Sequence, residues 1–215
     1  MKKELKKRII TSIILTAIVL NCLFISNYSW ILLLVIISFI CWIEFINLSK
    51  KIWKKNITII LPIALSFLFL CLFIHTAYKI RIEQGPTGIL FLLGICIFSD
   101  IGGYIVGKNI GGKKLTKISP NKTVSGSIGS FLFSLLPLGI FLVFIPEEIF
   151  SAKVILSCLF ISLACQLGDL IISYFKRLAK VKDTGKILPG HGGMLDRIDG
   201  IILAIPSIII IKLIL

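Results

Sequence analysis

The chain has 215 residues, of which 57% are hydrophobic and 16% charged, with a mean hydropathy of +1.02 and a formal net charge of +14. Soluble domains are about 25% charged, so composition excludes a soluble globular domain and indicates the bilayer as solvent. The cations lie in short loops between apolar runs, which favours anionic lipid headgroups and a polyphosphate over nucleic acid as partners.

Seven apolar runs of bilayer length predict transmembrane helices. The first follows five basic residues and resembles a secretory signal, but it is long and no small-x-small cleavage site follows, so we interpret it as an uncleaved span. The predicted fold is an all-α polytopic membrane protein, with N-terminal transmembrane helices over 1–90 and a second transmembrane region over 91–215 that carries the loops 107–126 and 176–198. The runs cover residues 9–25, 30–48, 57–74, 87–106, 127–145, 153–175 and 200–215.

Lysine and arginine alternate between successive loops. Twenty of the 24 lie in the N-terminal tail and in alternate loops, on one side of the predicted membrane. The other four lie on the opposite side, where Glu83, Glu147 and Glu148 also occur. They are Lys79, Arg81, Lys153 and Lys212. The positive-inside rule therefore predicts a cytoplasmic N-terminus. The glycine-rich and basic loops 107–126 and 176–198 are then both cytoplasmic, where soluble nucleotides are found.

The six cysteines all fall within apolar runs and form no C-x-x-C pair. They are interpreted as small buried side chains, with neither a disulfide framework nor a zinc site implied. They are Cys22, Cys41, Cys71, Cys96, Cys158 and Cys165.

Asp169 lies about six residues inside the end of its predicted span, where an unpaired carboxylate is costly and usually functional. Helical spacing places it on one stripe with Ser173, Lys176 and Lys180. The structural alternative is that Asp169 pairs with Lys176 or a neighbouring hydroxyl to hold helices together. Glu44, inside the second predicted span, is expected to make a helix-packing hydrogen bond.

Asp196 and Asp199 are three residues apart at the predicted start of the last span, so both carboxylates can point the same way. Carboxylate oxygens suit Mg²⁺, which binds through one or two of them together with substrate phosphates. The alternative is helix capping, because aspartates are favoured in a first turn. Both can hold for one residue.

The 176–198 loop combines cations with a glycine turn. Gly190, Gly192 and Gly193 surround His191 and allow a sharp turn close to a phosphate. His191 could donate to phosphate or relay a proton, although a structural role is the alternative. Five cations could clamp a polyphosphate. They are Lys176, Arg177, Lys182, Lys186 and Arg197. For Lys186 the alternative is ordinary positive-inside charge.

The 107–126 loop follows Asp100 and continues to a Ser119-Pro120-Asn121-Lys122-Thr123 segment. Gly103, Gly107 and Gly111 have small-xxx-small spacing, so close helix packing competes with a binding role for the first two. The segment lacks the P-loop arrangement.

These residues resemble the phosphatidate cytidylyltransferase (CDP-diacylglycerol synthase) family. The signature is matched by Ser173-x-Phe175-Lys176-Arg177-x4-Lys182-Asp183-x-Gly185-x2-Leu188-Pro189-x-His191-Gly192-Gly193-Met194-x-Asp196-Arg197-Ile198-Asp199. A second region is similar over Ser99-Asp100, Gly107-Lys108, Leu115 and Ser119-Pro120-x-Lys122-Thr123, and a third over Gln166-x-Gly168-Asp169-x3-Ser173. Val124-Ser125-Gly126 stand where the family often has Trp-Glu-Gly.

The resemblance implies transfer of CMP from CTP to phosphatidic acid, in a homodimer of the bacterial inner (plasma) membrane. It implies Mg²⁺ on Asp169 and Asp196, with K⁺ as a candidate second cation. The implied catalytic residues are Asp169, Lys176, Arg177, Asp196, Arg197 and Asp199. The implied substrate-binding residues are Asp100, Lys108, Ser119, Lys122, Thr123, Ser173, Lys182, Asp183, His191, Gly192 and Gly193.

Two other functions compete. A CTP-dependent polyprenol or dolichol kinase would also use CTP near basic cytoplasmic loops, and a transporter could place Asp169 and Asp100 along an ion path. A CDP-alcohol phosphotransferase is rejected, because Asp199-Gly200 is followed by apolar residues instead of that family's aspartate motif.

Overall fold

A computed structural model describes residues 2–53, 56–116, 118–142 and 151–214. Within these ranges the chain is helical, and its β-type pairing consists of two isolated bridges, Lys114 with Thr123 and Leu188 with Gly192. The helices are α1 (Lys2–Ile25), α2 (Asn27–Ile52), α3 (Asn56–Ile110), α4 (Val124–Phe133), α5 (Leu136–Leu142), α6 (Ala152–Leu178), α7 (Leu195–Ile198) and α8 (Ile201–Ile214).

Five segments of the described chain are long and apolar enough to cross a membrane. Many of their large apolar side chains are exposed, such as Ile13 and Phe39, as expected when lipid is the solvent. These observations confirm the prediction of an all-α polytopic membrane protein. The candidate spans are Leu5–Ile25, Asn27–Ile52, Ile57–Ile110, Val124–Phe141 and Ala152–Leu178.

The predicted runs and the observed helices do not correspond one to one. Two runs, 57–74 and 87–106, lie in the 55-residue α3, which is interrupted at Gly85 (φ 70°, ψ −170°) just before Pro86. A straight helix of that length would be about 80 Å long, far more than the roughly 30 Å of a hydrocarbon core. The break at Gly85 is therefore what allows α3 to hold two spans.

The last two predicted runs also differ from the observed helices. The run 127–145 is divided between α4 and α5, and its residues 143–145, like Glu147 and Glu148, lie outside the described residues. The final run forms the 14-residue α8, which is short for a span that needs about 20 residues.

The chain divides into two compact units that are not contiguous in sequence. The N-terminal unit comprises Met1–Pro86 and Phe175–Ile198, and the C-terminal unit comprises Thr87–Tyr174 and Asp199–Leu215. This differs from the predicted division near residue 90, because the segment 175–198 clusters with the N-terminal helices.

Polar side chains connect the helices of the N-terminal unit. The Trp30 indole of α2 donates to the Ala77 carbonyl of α3 at 3.4 Å, and Nε of Arg81 donates to the Leu23 carbonyl of α1 at 2.9 Å. Ser26 caps α2 by accepting from the Ser29 amide at 3.0 Å. These bonds give buried or interfacial polar groups partners that lipid cannot provide.

Glycines bring α3 and α4 into close contact in the C-terminal unit. A Cβ on Gly103 would lie 2.5 Å from Ser130 Oγ, one on Gly107 would lie 2.9 Å from Thr123 Oγ1, and one on Gly129 would lie 2.5 Å from the Val106 Cβ. Close helix packing, one of the two roles considered for Gly103 and Gly107, is thus observed. Gly111 is different, since it follows α3 in the left-handed region (φ 64°).

All six thiols are free. Cys41, Cys96, Cys158 and Cys165 are buried as predicted. The prediction is wrong for Cys71, which is exposed on α3, and Cys22 is half-buried. The apolar run that surrounds Cys71 has exposed positions, such as Leu68 and Leu72, as well as buried ones, so its apolar character did not require burial.

Candidate active site

A cavity of about 370 Å³ lies in the C-terminal unit. Three carboxylates and one ammonium group line it, from Asp100, Asp169, Asp199 and Lys122. We call it the acidic cavity. Ser119 and Thr123 also line it, so the structure brings six residues of the sequence-predicted site around one space.

Asp169 forms an ion pair with Lys122 and accepts a hydrogen bond from Ser173 Oγ at 3.2 Å. The contact with Ser173 follows the predicted helical stripe. The cation differs from the expected Lys176, because it comes from the loop before α4 and lies more than 40 positions away in sequence. Both side chains of the pair are about 30% exposed, so water reaches them.

Backbone hydrogen bonds hold Lys122 at the cavity wall. The Leu115 amide donates to the Lys122 carbonyl at 2.8 Å, and the Lys122 amide donates to the Ser119 carbonyl at 3.0 Å. The next residue, Thr123, begins α4 as its N-cap and accepts from the Gly126 amide at 3.1 Å. The short loop therefore carries Lys122 on a fixed backbone immediately before a helix.

The acidic cavity also has a wall of uncharged polar side chains that sequence reasoning left out of the site. Ser127 Oγ donates to Gln166 Oε1 at 2.5 Å, and Gln166 Nε2 donates to Ser162 Oγ at 3.3 Å. Gln166, Ser127 and Asn121 line the cavity. Gln166 could have been found from its place three residues before Asp169, in the third region of the family resemblance.

Lys108 contacts an aromatic neighbour. Its ammonium lies 3.4 Å from the Tyr104 hydroxyl and 5.5 Å from the centre of that ring. Both residues are exposed on the last turns of α3. This local cation–π contact gives Lys108 a structural role beside the binding role that was predicted for it.

A second polar cluster lies in the N-terminal unit around Asp196. Lys176 donates to Asp196 Oδ1 at 2.8 Å, and the two side chains are 13% and 5% exposed. Asp196 Oδ2 accepts from the amides of Thr184 and Gly193 at 2.8 and 3.0 Å, with the Thr184 hydroxyl also at 3.0 Å. We call this set the Asp196 cluster.

Opposing influences act on the pKa of Asp196. Burial works to raise the pKa, but the hydrogen bond from Lys176 and those from the Thr184 and Gly193 amides outweigh it, so the pKa lies below its usual value. Donors to the charged form favour that form. Asp196 is thus held as a carboxylate at neutral pH.

The loop between α6 and α7 turns sharply at glycines. Gly190 and Gly192 have φ of 76° and 86°, in the left-handed region that glycine tolerates. Leu188 and Gly192 form a bridge, with the Leu188 amide donating to the Gly192 carbonyl at 3.0 Å. The backbone has the sharp turn that the sequence predicted around His191.

Side chains from both ends of the N-terminal unit contact this turn. The Arg197 guanidinium donates to the His191 carbonyl at 2.8 and 3.2 Å. His191 Nε2 lies 3.2 Å from Ser12 Oγ, and Thr11 Oγ1 donates to the Pro189 carbonyl at 3.2 Å. His191 Nδ1 is buried and has no hydrogen-bond partner within the described part of the chain.

Several charged residues of the predicted site remain exposed. Arg177 lies in the last turn of α6, and Lys182 and Asp183 lie in the loop that follows. Lys180 lies beyond the end of α6 with a left-handed φ of 55°, so the predicted stripe ends before it. The prediction that one helix extends through position 180 is wrong, because α6 ends at Leu178.

Asp196 and Asp199 do not share one helical turn. Asp196 belongs to the four-residue α7, whereas Asp199 lies between α7 and α8, where its Oδ1 accepts from the Gly200 amide at 2.9 Å. A Cβ on Gly200 would lie 2.5 Å from Cys165 Sγ. This close approach to α6 requires a residue without a side chain at position 200, where the chain passes from α7 to α8.

Carboxylate oxygens are the donors that the predicted site offers to a metal ion. No group of three or more His, Cys, Asp or Glu side chains is arranged around a common metal position among the described residues. The acidic cavity nevertheless presents three carboxylates beside water-accessible space, and carboxylate oxygens are the ligands that Mg²⁺ prefers. Asp196 has an oxygen, Oδ1, whose described partner is Lys176 alone.

A family model described as the cytidylyltransferase family matches residues 50–215. The chain belongs to this family. The match contains both the acidic cavity and the Asp196 cluster, and it confirms the resemblance seen in the motifs.

Curated relatives in the family share this similarity. The phosphatidate cytidylyltransferase of Staphylococcus saprophyticus is 36% identical over 167 residues, covering 76% of this chain and 64% of the relative. That of Bacillus subtilis is 40% identical, covering 67% of this chain and 55% of the relative. The phosphatidate cytidylyltransferase of Haemophilus influenzae is 34% identical, and the alignment covers 87% of this chain and 67% of the relative. The chain thus spans between about half and two thirds of the length of these relatives.

Proposed function

We propose that this chain transfers CMP from CTP to phosphatidic acid, yielding CDP-diacylglycerol for phospholipid biosynthesis and releasing pyrophosphate. The observation that carries the proposal is the family match over residues 50–215. Relatives that align with most of this chain are named for that activity. The described helices also fit an enzyme whose lipid substrate stays in the bilayer.

The proposed reaction is an in-line phosphoryl displacement. A phosphate oxygen of phosphatidic acid attacks the α-phosphorus of CTP, a new P–O–P bond forms, and the bond to the β-phosphate oxygen breaks with pyrophosphate as leaving group. Such a reaction needs positioning and charge neutralisation more than covalent help from the protein.

Three cations are proposed to stabilise the phosphates: Lys176, Arg177 and Arg197. Two of the five N–H donors of Arg197 are used on the His191 carbonyl, so its guanidinium is oriented and still has donors for phosphate. Arg177 is exposed and free to approach a soluble substrate. The turn formed by residues 189–193 is proposed to lie near the pyrophosphate.

Lys122 is proposed to bind substrate phosphate within the acidic cavity. Its partner Asp169 is partly exposed, and partly hydrated ion pairs contribute little to stability, so a polyanion can compete for the ammonium. Ser119 and Thr123 add hydroxyl groups to the same wall.

Asp169 and Asp196 are the proposed Mg²⁺ ligands, with Asp199, Asp100 and Asp183 as second choices and K⁺ as a candidate second cation. When bound, Mg²⁺ would neutralise charge on the phosphates of CTP. For Asp169, Asp199 and Asp100, support comes from their carboxylates in the lining of the acidic cavity. Asp196 and Asp183 are proposed from the family resemblance.

The proposed setting is the bacterial inner membrane, with the N-terminus and the loops 107–126 and 176–198 in the cytoplasm. Support comes from the distribution of lysine and arginine. A homodimer is proposed from the family resemblance.

The activity is tested with purified protein, phosphatidic acid and Mg²⁺, using CTP labelled at the α- or the γ-phosphate. We expect α-label in the lipid product, unlabelled lipid from γ-labelled CTP, and loss of turnover in EDTA. Transfer of γ-label to phosphatidic acid or to a polyprenol would identify a lipid kinase instead. Absence of label from lipid in both reactions would contradict the proposed function.

A further inference from the structure

Glu44 lies in the C-terminal half of α2, and its side chain is buried. The sequence predicted a hydrogen bond to a neighbouring helix, but its partners lie in the loop after α6 and at the start of α7. The Thr184 hydroxyl donates to Oε2 at 2.9 Å. The amides of Met194 and Leu195 donate to Oε1 and Oε2 at 3.0 and 2.9 Å.

These three donors match what a buried carboxylate needs. A buried charge is costly unless it is hydrogen-bonded, and an ionised carboxylate only accepts hydrogen bonds. Two donors are consecutive backbone amides, so Glu44 orients the peptide planes that lead into α7. Because the donors are backbone groups, these bonds fix the path of the chain at Met194 and Leu195.

The loop backbone closes tightly around the Glu44 carboxylate. A Cβ on Gly185 would overlap Oε1, and one on Gly193 would lie 2.5 Å from Oε2 and overlap Thr184 Oγ1. Both glycines occupy positions of the family signature. The Glu44 carboxylate leaves no room for a side chain at either position. The loop and the carboxylate are therefore fitted to each other.

Thr184 connects Glu44 to Asp196. Its hydroxyl lies 2.9 Å from Glu44 Oε2 and 3.0 Å from Asp196 Oδ2, while its amide donates to Asp196 Oδ2 at 2.8 Å. Asp196 in turn accepts from Lys176. All of these residues belong to the N-terminal unit, and they form one continuous polar chain from α2 to the Asp196 cluster.

We propose that Glu44 is a positioning residue for the reaction. By anchoring the backbone at Met194 and Leu195 and the hydroxyl of Thr184, it holds Asp196, and through it Lys176, in the geometry that phosphate chemistry requires. The inference rests on the proposed function, because it assigns the Asp196 cluster to catalysis. Glu44 would then influence the site from α2, although it precedes the loop that it contacts by about 140 positions in the sequence.

The test compares Glu44→Gln with Ser38→Ala. Glutamine has nearly the same shape, but its NH₂ must face the Met194 amide or the Leu195 amide, and both are donors. Ser38 is a matched control, since it is buried on the same helix and its hydroxyl has no hydrogen-bond partner among the described residues. The measurements are kcat, the KM values for CTP and phosphatidic acid, and amide hydrogen exchange.

For Glu44→Gln we expect kcat to fall about tenfold to a hundredfold, since small displacements of positioned groups have effects of this size. The KM values should change by less than about threefold, because the lost alignment matters most in the transition state. Exchange should accelerate at Met194 and Leu195 and stay unchanged where α3 packs on α4. Ser38→Ala should match the wild type in every measurement.

Thr184 provides a second pair of variants if Glu44→Gln does not fold. Thr184→Val removes the hydroxyl that joins the two carboxylates and should lower kcat, whereas Thr184→Ser should restore it. Unchanged kcat in Glu44→Gln, or exchange accelerated equally throughout the protein, would overturn the proposal. If the wild type lacks CMP transfer, the proposed function fails, while the local exchange at Met194 and Leu195 still tests the anchoring by Glu44.

Discussion

At the scale of single residues, the two polar clusters differ in how firmly their ion pairs are held. The Lys122–Asp169 pair is about 30% exposed at each side chain, whereas Asp196 is 5% exposed and accepts from Lys176 and from two backbone amides. Charges that are hydrogen-bonded and shielded from water are costly to disturb, and partly hydrated pairs exchange partners readily. Asp196 is thus suited to a fixed position, and Lys122 to reversible contact with a substrate.

The lowered pKa of Asp196 predicts a specific dependence of stability on pH. The folded pKa lies below the unfolded value of about 3.9, so the stabilisation is complete above that value and is lost as the pH falls through the folded pKa. Wild type should therefore unfold at a higher temperature than Asp196→Asn at pH 7. The difference should persist to about pH 5 and shrink below about pH 4.

Thermal unfolding of both proteins in detergent between pH 3 and pH 8 measures this difference. Lys79→Gln is the control, because the Lys79–Glu83 pair is exposed and spans one helical turn at 3.7 Å. A difference between wild type and Asp196→Asn that disappears between pH 7 and pH 5 would contradict the lowered pKa.

At the scale of helices, glycine determines the contact between α3 and α4. Gly102 and Gly103 approach the backbone and side chains of α4, and Gly107 approaches its N-cap Thr123, at distances that exclude a Cβ without movement. Small residues let helix backbones approach where lipid provides no hydrophobic driving force. This packing also carries functional consequences, because Gly103 and Gly126 line the acidic cavity.

Gly129→Ala should destabilise the C-terminal unit by about 1–3 kcal/mol, the usual cost of overpacking. The new methyl group would lie 2.5 Å from the Val106 Cβ and 2.8 Å from the Gly102 carbonyl oxygen. Gly139→Ala is the matched control, since a Cβ there meets nothing within 4 Å. Denaturation in mixed micelles measures both variants, and equal stability of the two would show that α3 and α4 can separate without cost.

At the scale of the whole molecule, the segment 175–198 clusters with helices from the other end of the chain. The two polar clusters therefore belong to different compact units, and each has its own hydrogen-bond network. The distribution of basic residues nevertheless predicts that the loops 107–126 and 176–198 reach the same side of the membrane.

Membrane sidedness can be measured by cysteine labelling. We expect Lys113→Cys and Lys186→Cys, expressed in a bacterial inner membrane, to react with an impermeant maleimide only after the cytoplasmic face is opened. Lys79→Cys should react in intact spheroplasts. Cys71→Ser is the background for all three, because Cys71 is the exposed native thiol. Opposite labelling of Lys113→Cys and Lys186→Cys would refute the proposed topology.

Sequence was sufficient wherever the physical cause is local. Apolar runs of bilayer length require helices because lipid offers backbone groups no partners, and Gly190 and Gly192 indicate a sharp turn because left-handed φ values favour glycine. The charged motif also led to the correct family. Helix ends were less predictable: α7 ends at Ile198 and α8 begins at Ile201, although the apolar run starts at residue 200 without any marked breaker.

Only the tertiary structure could decide which residues serve as partners. Lys122 pairs with Asp169 across more than 40 positions, and Glu44 binds a loop about 140 positions away. Neither contact follows from helical periodicity, which relates residues within a few turns of one another. The sequence therefore determined the solvent, the helical class and the family of this protein, and folding decided which buried charges meet, because such pairing depends on the packing of distant segments.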